Sequence, residues 1–199
     1  MMKHSIAPII CTLFFLPVIA QQKNIKPQPY KFFSSVQAGI LDGQAKKTAG
    51  QIQLLSGIQK NAWLAGIGVG IDYYSGKRSI PLFIDVKNIL LKTSYSPFVY
   101  ASGGYNFSWL RDDEKISGWN IASSKQKGGV FYEIGLGYRF PLKNKMALGI
   151  SAGYSYKQQS ETVTPFQSCD FCVPRIPEPM PEIYKYQFRR IGVKVHCWF

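Results

Sequence analysis

From residue 32 to the C-terminus the chain repeats one pattern: about ten residues that alternate apolar and small or polar, then a turn. Such alternation marks a strand with two different faces. The clearest run is Lys145–Tyr156, where Met146, Leu148, Ile150, Ala152, Tyr154 and Tyr156 share one face. Ala147, Gly149, Ser151, Gly153 and Ser155 share the other. Val130–Phe140 repeats the scheme, with Val130, Tyr132, Ile134, Leu136 and Tyr138 against Phe131, Glu133, Gly135, Gly137 and Arg139. Ala62–Tyr73 does so again, with Trp63, Ala65, Ile67, Val69 and Ile71 against Leu64, Gly66, Gly68, Gly70 and Asp72. Ser79–Leu91, Phe98–Ser108 and Tyr186–Phe199 fit as well, and Phe32–Asp42 and Ala49–Lys60 fit less strictly.

Eight alternating runs predict an all-β chain: a closed, antiparallel, up-and-down barrel of about eight strands. The bulky face is fit for hydrocarbon, and the glycine-rich face suits a crowded lumen. A transmembrane barrel is therefore expected, because a soluble barrel turns its large apolar side chains inward. Closure leaves no strand edge unpaired in lipid.

The predicted connections are 43–48, 61, 74–78, 92–97, 109–129, 141–144 and 157–185. With the first strand starting in the periplasm, the odd ones face outward and include both long segments. That asymmetry is expected of outer-membrane barrels. Aromatic residues gather at strand ends: Trp63, Phe98, Tyr138, Phe140, Trp198 and Phe199 on the inner side, and Tyr73, Tyr105, Phe107, Tyr154 and Tyr156 on the outer. They are expected to form two interfacial girdles.

The N-terminus sharpens the address. Lys3, then a mostly apolar Ile6–Ile19, then Ala20 before Gln21-Gln22, reads as a secretory signal over residues 1–20. The alternative is an N-terminal anchor, but the run is short for a bilayer span and Pro8 and Pro17 interrupt it. Residues 21–31 read as a polar periplasmic lead-in, and 32–199 as the barrel. The formal charge of +13 points to an anionic partner, and export makes nucleic acid a poor fit. Outer-membrane lipids and lipopolysaccharide phosphates are the expected partners, met by Lys46, Lys47, Lys77, Arg78, Lys125 and Lys127.

The chain ends Val193-Lys194-Val195-His196-Cys197-Trp198-Phe199. This alternating final strand, closing on Phe199 with Val193 and Val195 on its apolar face, resembles the insertion signal read by the outer-membrane assembly machinery. With the Gly/Tyr strands (Gly103-Gly104-Tyr105-Asn106-Phe107, Gly135-Leu136-Gly137-Tyr138-Arg139-Phe140), residues 32–199 resemble the outer-membrane β-barrel domain family of Gram-negative bacteria. They are similar in size to its eight-stranded OmpA/OmpX-type barrels, and the Tyr-rich, basic composition is similar to Bacteroidetes members. The resemblance implies a monomer.

Candidate chemistry is sparse. Asp85, Lys87, Glu133, Arg139, Arg190, Lys194 and His196 fall on lumen faces, where a buried charge needs a partner. They are read as a structural charge network plugging the lumen, with a narrow pore as the alternative. Cys169 and Cys172 in the seventh connection form a Cys-x-x-Cys pair. An oxidising compartment favours a local disulfide; an unpaired or intermolecular state and a redox or metal role are the alternatives. A zinc site lacks a second ligand pair. Pro174, Pro177, Pro179 and Pro181 favour an extended segment, either a binding surface or a stiff spacer. Arg111–Lys115 reads as a solvated turn rather than a calcium loop. An embedded lipid-modifying enzyme would need a nucleophile–base pair, and no Ser stands at an obvious spacing on the outer rim. No catalytic, cofactor or metal site is assigned. The expected role is structural or surface-interacting, through loops that meet a surface protein or host ligand.

Overall fold

The computed structural model describes residues 29–43, 48–74, 77–93, 95–109, 121–142, 146–165 and 180–199. Among these there are only strands, joined by turns and short connections. In chain order they are β1 (Lys31–Gly43), β2 (Ala49–Lys60), β3 (Trp63–Tyr74), β4 (Lys77–Ile89), β5 (Ser96–Ser108), β6 (Ile121–Lys127), β7 (Gly129–Pro141), β8 (Ala147–Pro165) and β9 (Glu182–Trp198).

Neighbouring strands pair antiparallel around a ring that β1 and β9 close. Their ladder runs from Ser35 opposite Trp198 to Gly43 opposite Arg190. Reciprocal 3.0 Å bonds between the Ser34 and Phe199 backbones extend it by one step. Strands β6 and β7 are one bulged stave. Both pair with β8, but Lys127 stands opposite Ser160 while Phe131 stands opposite Lys157. Four steps on one side thus match three on the other, and the extra residue falls at Gly128-Gly129. The architecture is a closed, eight-stranded antiparallel barrel.

The end where β1 begins and β9 finishes, here the near end, carries tight connections. Asn61 and Ala62 form a two-residue hairpin in which Asn61 takes φ 55°, a left-handed backbone that Asn tolerates. Pro97 and Pro141 sit at strand ends, where a missing N–H costs least. Pro81 lies inside β4, and the β3–β4 ladder skips it, resuming at Asp72 opposite Ser79.

At the opposite, far end the strands outrun the sequence pattern. Residues 109–129 and 157–185 were both expected to be loops. Instead β6 occupies part of the first, and β8 and β9 continue to Pro165 and back from Glu182. Backbone pairing from Lys157 opposite Phe188 to Val163 opposite Glu182 holds this extension. No apolar alternation is needed there, because hydrogen bonds alone set the ladder. At the other boundary, Lys31 belongs to β1 and not to the polar lead-in.

Parity fixes the two faces. The outward rows include Ile52, Leu54, Ile67, Leu82, Ile84, Ile134, Leu136, Ile150, Val193 and Val195, all exposed. The inward rows hold the buried core, and it is not uniformly small. Phe33, Leu55, Leu64, Phe83, Phe98, Tyr100, Phe131 and Trp198 fill it. Phe98 and Trp198 were expected in the inner girdle; their side chains point into the barrel and pack edge to face at 5.7 Å. The lumen glycines make room for these rings. A Cβ on Gly68 would stand 2.5 Å from the Phe83 ring, and one on Gly149 would stand 2.6 Å from Trp198.

Candidate functional site

The interior is the only place where the described residues concentrate ionisable side chains. Four buried anions (Asp72, Asp85, Glu133, Glu161) accompany four buried cations (Lys87, Lys157, Lys194, Arg190). Charge balance is what burial demands, since an unpaired ion in low dielectric is costly.

A lower cluster centres on Tyr100 of β5. Lys194 of β9 pairs with Glu133 of β7 at 2.5 Å, and Lys87 pairs with Asp85 on β4 at 2.6 Å. The Tyr100 hydroxyl donates to Glu133 at 2.7 Å, and Ser102 donates to Asp85 at 2.7 Å. Both ammonium groups lie over the Tyr100 ring, Lys87 at 5.2 Å and Lys194 at 4.9 Å. Lys194 also reaches Gln53 Oε1 at 3.3 Å. Register explains the assembly. Ser102 faces both Asp85 and Glu133 across its two ladders, so three strands deliver their polar groups at one level.

An upper cluster centres on Asp72 of β3. It is paired with Lys157 of β8 and accepts from Gln51 Nε2 at 2.9 Å and Ser79 Oγ at 3.0 Å. Lys157 lies 4.9 Å from the Phe131 ring centre, and Phe131 meets Phe83 edge to face at 5.5 Å. Arg190 caps this level, stacked 4.8 Å over Tyr74 and donating to the Leu41 carbonyl at 3.3 Å. At the rim, Glu161 accepts from Ser124 at 2.7 Å.

Each lumen residue singled out in the sequence faces inward. Asp85, Lys87, Glu133 and Lys194 meet in the lower cluster. Arg190 joins the upper one. His196 does not belong to the ion pairs. Its Nε2 lies 2.6 Å from Ser151 Oγ, and its ring stacks on Trp198 at 5.0 Å. Arg139 stands apart at the near end, half-buried over Trp198 at 5.7 Å. Sequence reasoning placed Asp72 on the lumen face but left it out of the network, and it missed Lys157 and Glu161. The alternation of Lys157, Gln159 and Glu161 with Gln158, Ser160 and Thr162 is polar on polar. Parity continued from Ser155 was the only signal.

Ser151 and His196 have the composition of a nucleophile and base. Both are buried, and His196 Nδ1 has no partner among the described residues, so the third group that holds a catalytic base in its tautomer is missing there. Their contact is a buried hydrogen bond beside the near-end aromatic group. No cluster of three His, Cys, Asp or Glu suited to a metal occurs among the described residues. Cys169 and Cys172 lie outside the described residues, as do residues 1–28, Lys46, Lys47, Arg111–Lys115, Pro174, Pro177 and Pro179; Lys77 lies in β4. Val193, Val195 and Phe199 stand on the outward face, and Cys197, a free thiol, shares their row.

The chain matches no protein-family model and no curated protein. One solved structure, from "Unveiling the Mechanism Behind the in-meso Crystallization of Membrane Proteins", aligns over 84% of this chain and 83% of its own, at 11% identity and a TM-score of 0.30. A likeness of that size carries no argument about function. No helix of the described residues is long and apolar enough to cross a membrane, which has no bearing on a chain that would cross with strands.

Proposed function

We propose that this chain is an outer-membrane barrel whose lumen is a sealed structural core and whose far-end rim and loops carry its interactions. One observation carries the reading: polarity is inside out. Lys87, Lys157, Lys194 and Asp72 are buried, while Ile67, Ile84, Ile134 and Leu136 are each at least 60% exposed. In water such a surface would be a single large aggregation-prone patch. In a bilayer it is the solvated face. Strands of 12 or 13 residues in β1 to β5 and in β7 suffice to span hydrocarbon with tilt.

The near end corresponds to the periplasm and the far end to the exterior in this reading. Short near-end connections and the far-end extension of β6, β8 and β9 support that orientation. The filled, charge-paired lumen supports a closed barrel over a pore. Lipopolysaccharide phosphates would meet outward cations at the far rim, such as Arg78, Lys125 and Lys127.

Membrane fractionation with heat-modifiable gel migration tests the address and the barrel. The band should sediment with outer membranes and migrate faster unheated than heated. A soluble, mobility-invariant band would overturn the proposal. Planar bilayers test the closed lumen, where steady ion steps would replace the sealed core with a conducting pore.

A further inference from the structure

We propose that the near-end mouth of the barrel is a binding site for a water-borne oxyanion, a carboxylate or phosphate group, seated on Arg139. The mouth holds a cavity of about 540 Å³ whose lining includes Gln59, Asn61, Ile89, Leu91, Lys92 and Arg139. Ile89 packs on the aromatic core and gives the cavity an apolar floor. Gln59 and Asn61 give it a polar wall, held in shape by the Gln59 Nε2 bond to the Asn61 carbonyl at 3.2 Å. Arg139 and Lys92 give it two positive charges.

The argument turns on what Arg139 lacks. Among the described residues, the buried lumen cations Lys87, Lys157, Lys194 and Arg190 each have a carboxylate or carbonyl acceptor, whereas Arg139 is half-buried. Arg139 forms no ion pair among the described residues; its guanidinium rests on the Trp198 ring. The nearest level of lumen carboxylates, Asp85 and Glu133, is already committed to Lys87 and Lys194. The near-end connections 61–62, 90–95 and 142–146 contain no Asp or Glu. These connections therefore add no carboxylate side chain to offset the charges of Arg139 and Lys92 that line the cavity. The Arg139 guanidinium lies 5.7 Å from the Trp198 ring and lines the cavity, and its planar set of donors suits a carboxylate or phosphate. Arg139 points into the barrel mouth and not to its outer surface, so the anion arrives from water. The proposal stands on the inward face and does not depend on the barrel lying in a membrane.

The test is an NMR titration of the full chain folded in detergent micelles, read at the Trp198 indole N–H. The probes are inorganic phosphate, N-acetylalanine and dihexanoyl-phosphatidylglycerol, each against chloride at matched ionic strength. Phosphate or N-acetylalanine should shift the signal saturably. Arg139→Gln should weaken the affinity at least about tenfold, the loss expected when a charge-assisted bidentate contact goes. Lys92→Gln should weaken it less. The exposed Lys92 variant decides the matter if Arg139→Gln does not fold, and an unchanged affinity in it would then overturn the proposal. So would a shift reproduced by chloride, a shift retained in Arg139→Gln, or saturation by the lipid headgroup alone. Protected strand amides in the same spectra report the fold separately from binding.

Discussion

Lys194→Met is the most searching perturbation of the lumen. It removes the cation facing Glu133 and keeps the length of the side chain. The size of the effect depends on where the pair lies. An exposed ion pair is worth about 0–1 kcal/mol, but these side chains are 2% and 0% exposed at a separation of 2.5 Å. Breaking a buried pair by deleting one partner costs about 3–5 kcal/mol, because the surviving charge stays buried without compensation. Tyr100 still donates to Glu133 in the variant, which places the expected loss toward the lower part of that range. Gln53 loses its donor as well. Adding Glu133→Gln should recover most of the loss, since a neutral amide can accept the Tyr100 hydroxyl without an ion to desolvate. The assay is urea unfolding of the barrel from lipid vesicles, followed by gel mobility and tryptophan fluorescence and arranged as a double-mutant cycle. A single variant within about 1 kcal/mol of the parent would place the pair in the solvated regime and refute the sealed lumen. A double variant no more stable than the single one would refute the pairing.

Three further outcomes are expected. Gly68→Ala, whose new Cβ would stand 2.5 Å from Phe83, should destabilise the barrel by about 1–3 kcal/mol in the same urea assay. Phe83→Leu should recover part of that. Ile134→Arg, on the outward face, should cost about 2–4 kcal/mol for folding into vesicles if that face meets hydrocarbon. A change within about 0.5 kcal/mol is what a watery surface would give. Deleting Gly128 should remove the bulge and reverse the faces of β6, turning Ser124 and Gln126 away from Glu161 and Ser108. Hydrogen exchange should then report lost protection at the β6 amides and at those amides of residues 160–165 that face β6, with the β8–β9 ladder intact; retained protection at the β6-facing amides would contradict the bulge.

The eight staves were legible because each sets two chemistries on two faces, and a period of two needs only a few residues to be seen. The inward direction of Asp85, Lys87, Glu133, Lys194 and His196 followed from the same parity. What parity cannot supply is level. Lys157 sits beside Asp72, eighty-five positions away in sequence, because the staggers of the intervening ladders bring β8 and β3 to one height. That stagger is a property of the closed ring and is written in no single strand. The far-end extension was hidden for a different reason: its side chains are polar on both faces, so pairing persists where patterning stops.

Phe98 and Trp198 show how two rules of reading compete. Their position near strand ends suggests a girdle, while their parity with Tyr100 and His196 sends them inward. Parity prevails because rotating one side chain to the other face would require slipping its strand by a residue, and that would turn Tyr100 outward with Phe98, or Lys194 outward with Trp198. The same consideration recasts the glycines. Gly68, Gly137, Gly149 and Gly153 do not mark an empty or uniformly small lumen. Each lies against an aromatic side chain, respectively Phe83, Phe98, Trp198 and Tyr100, the first three from the neighbouring paired strand. Small and large positions on the inward face are therefore complementary halves of one packed interior. A barrel built this way is closed by its own side chains, which leaves its two mouths as the places where it can meet other molecules.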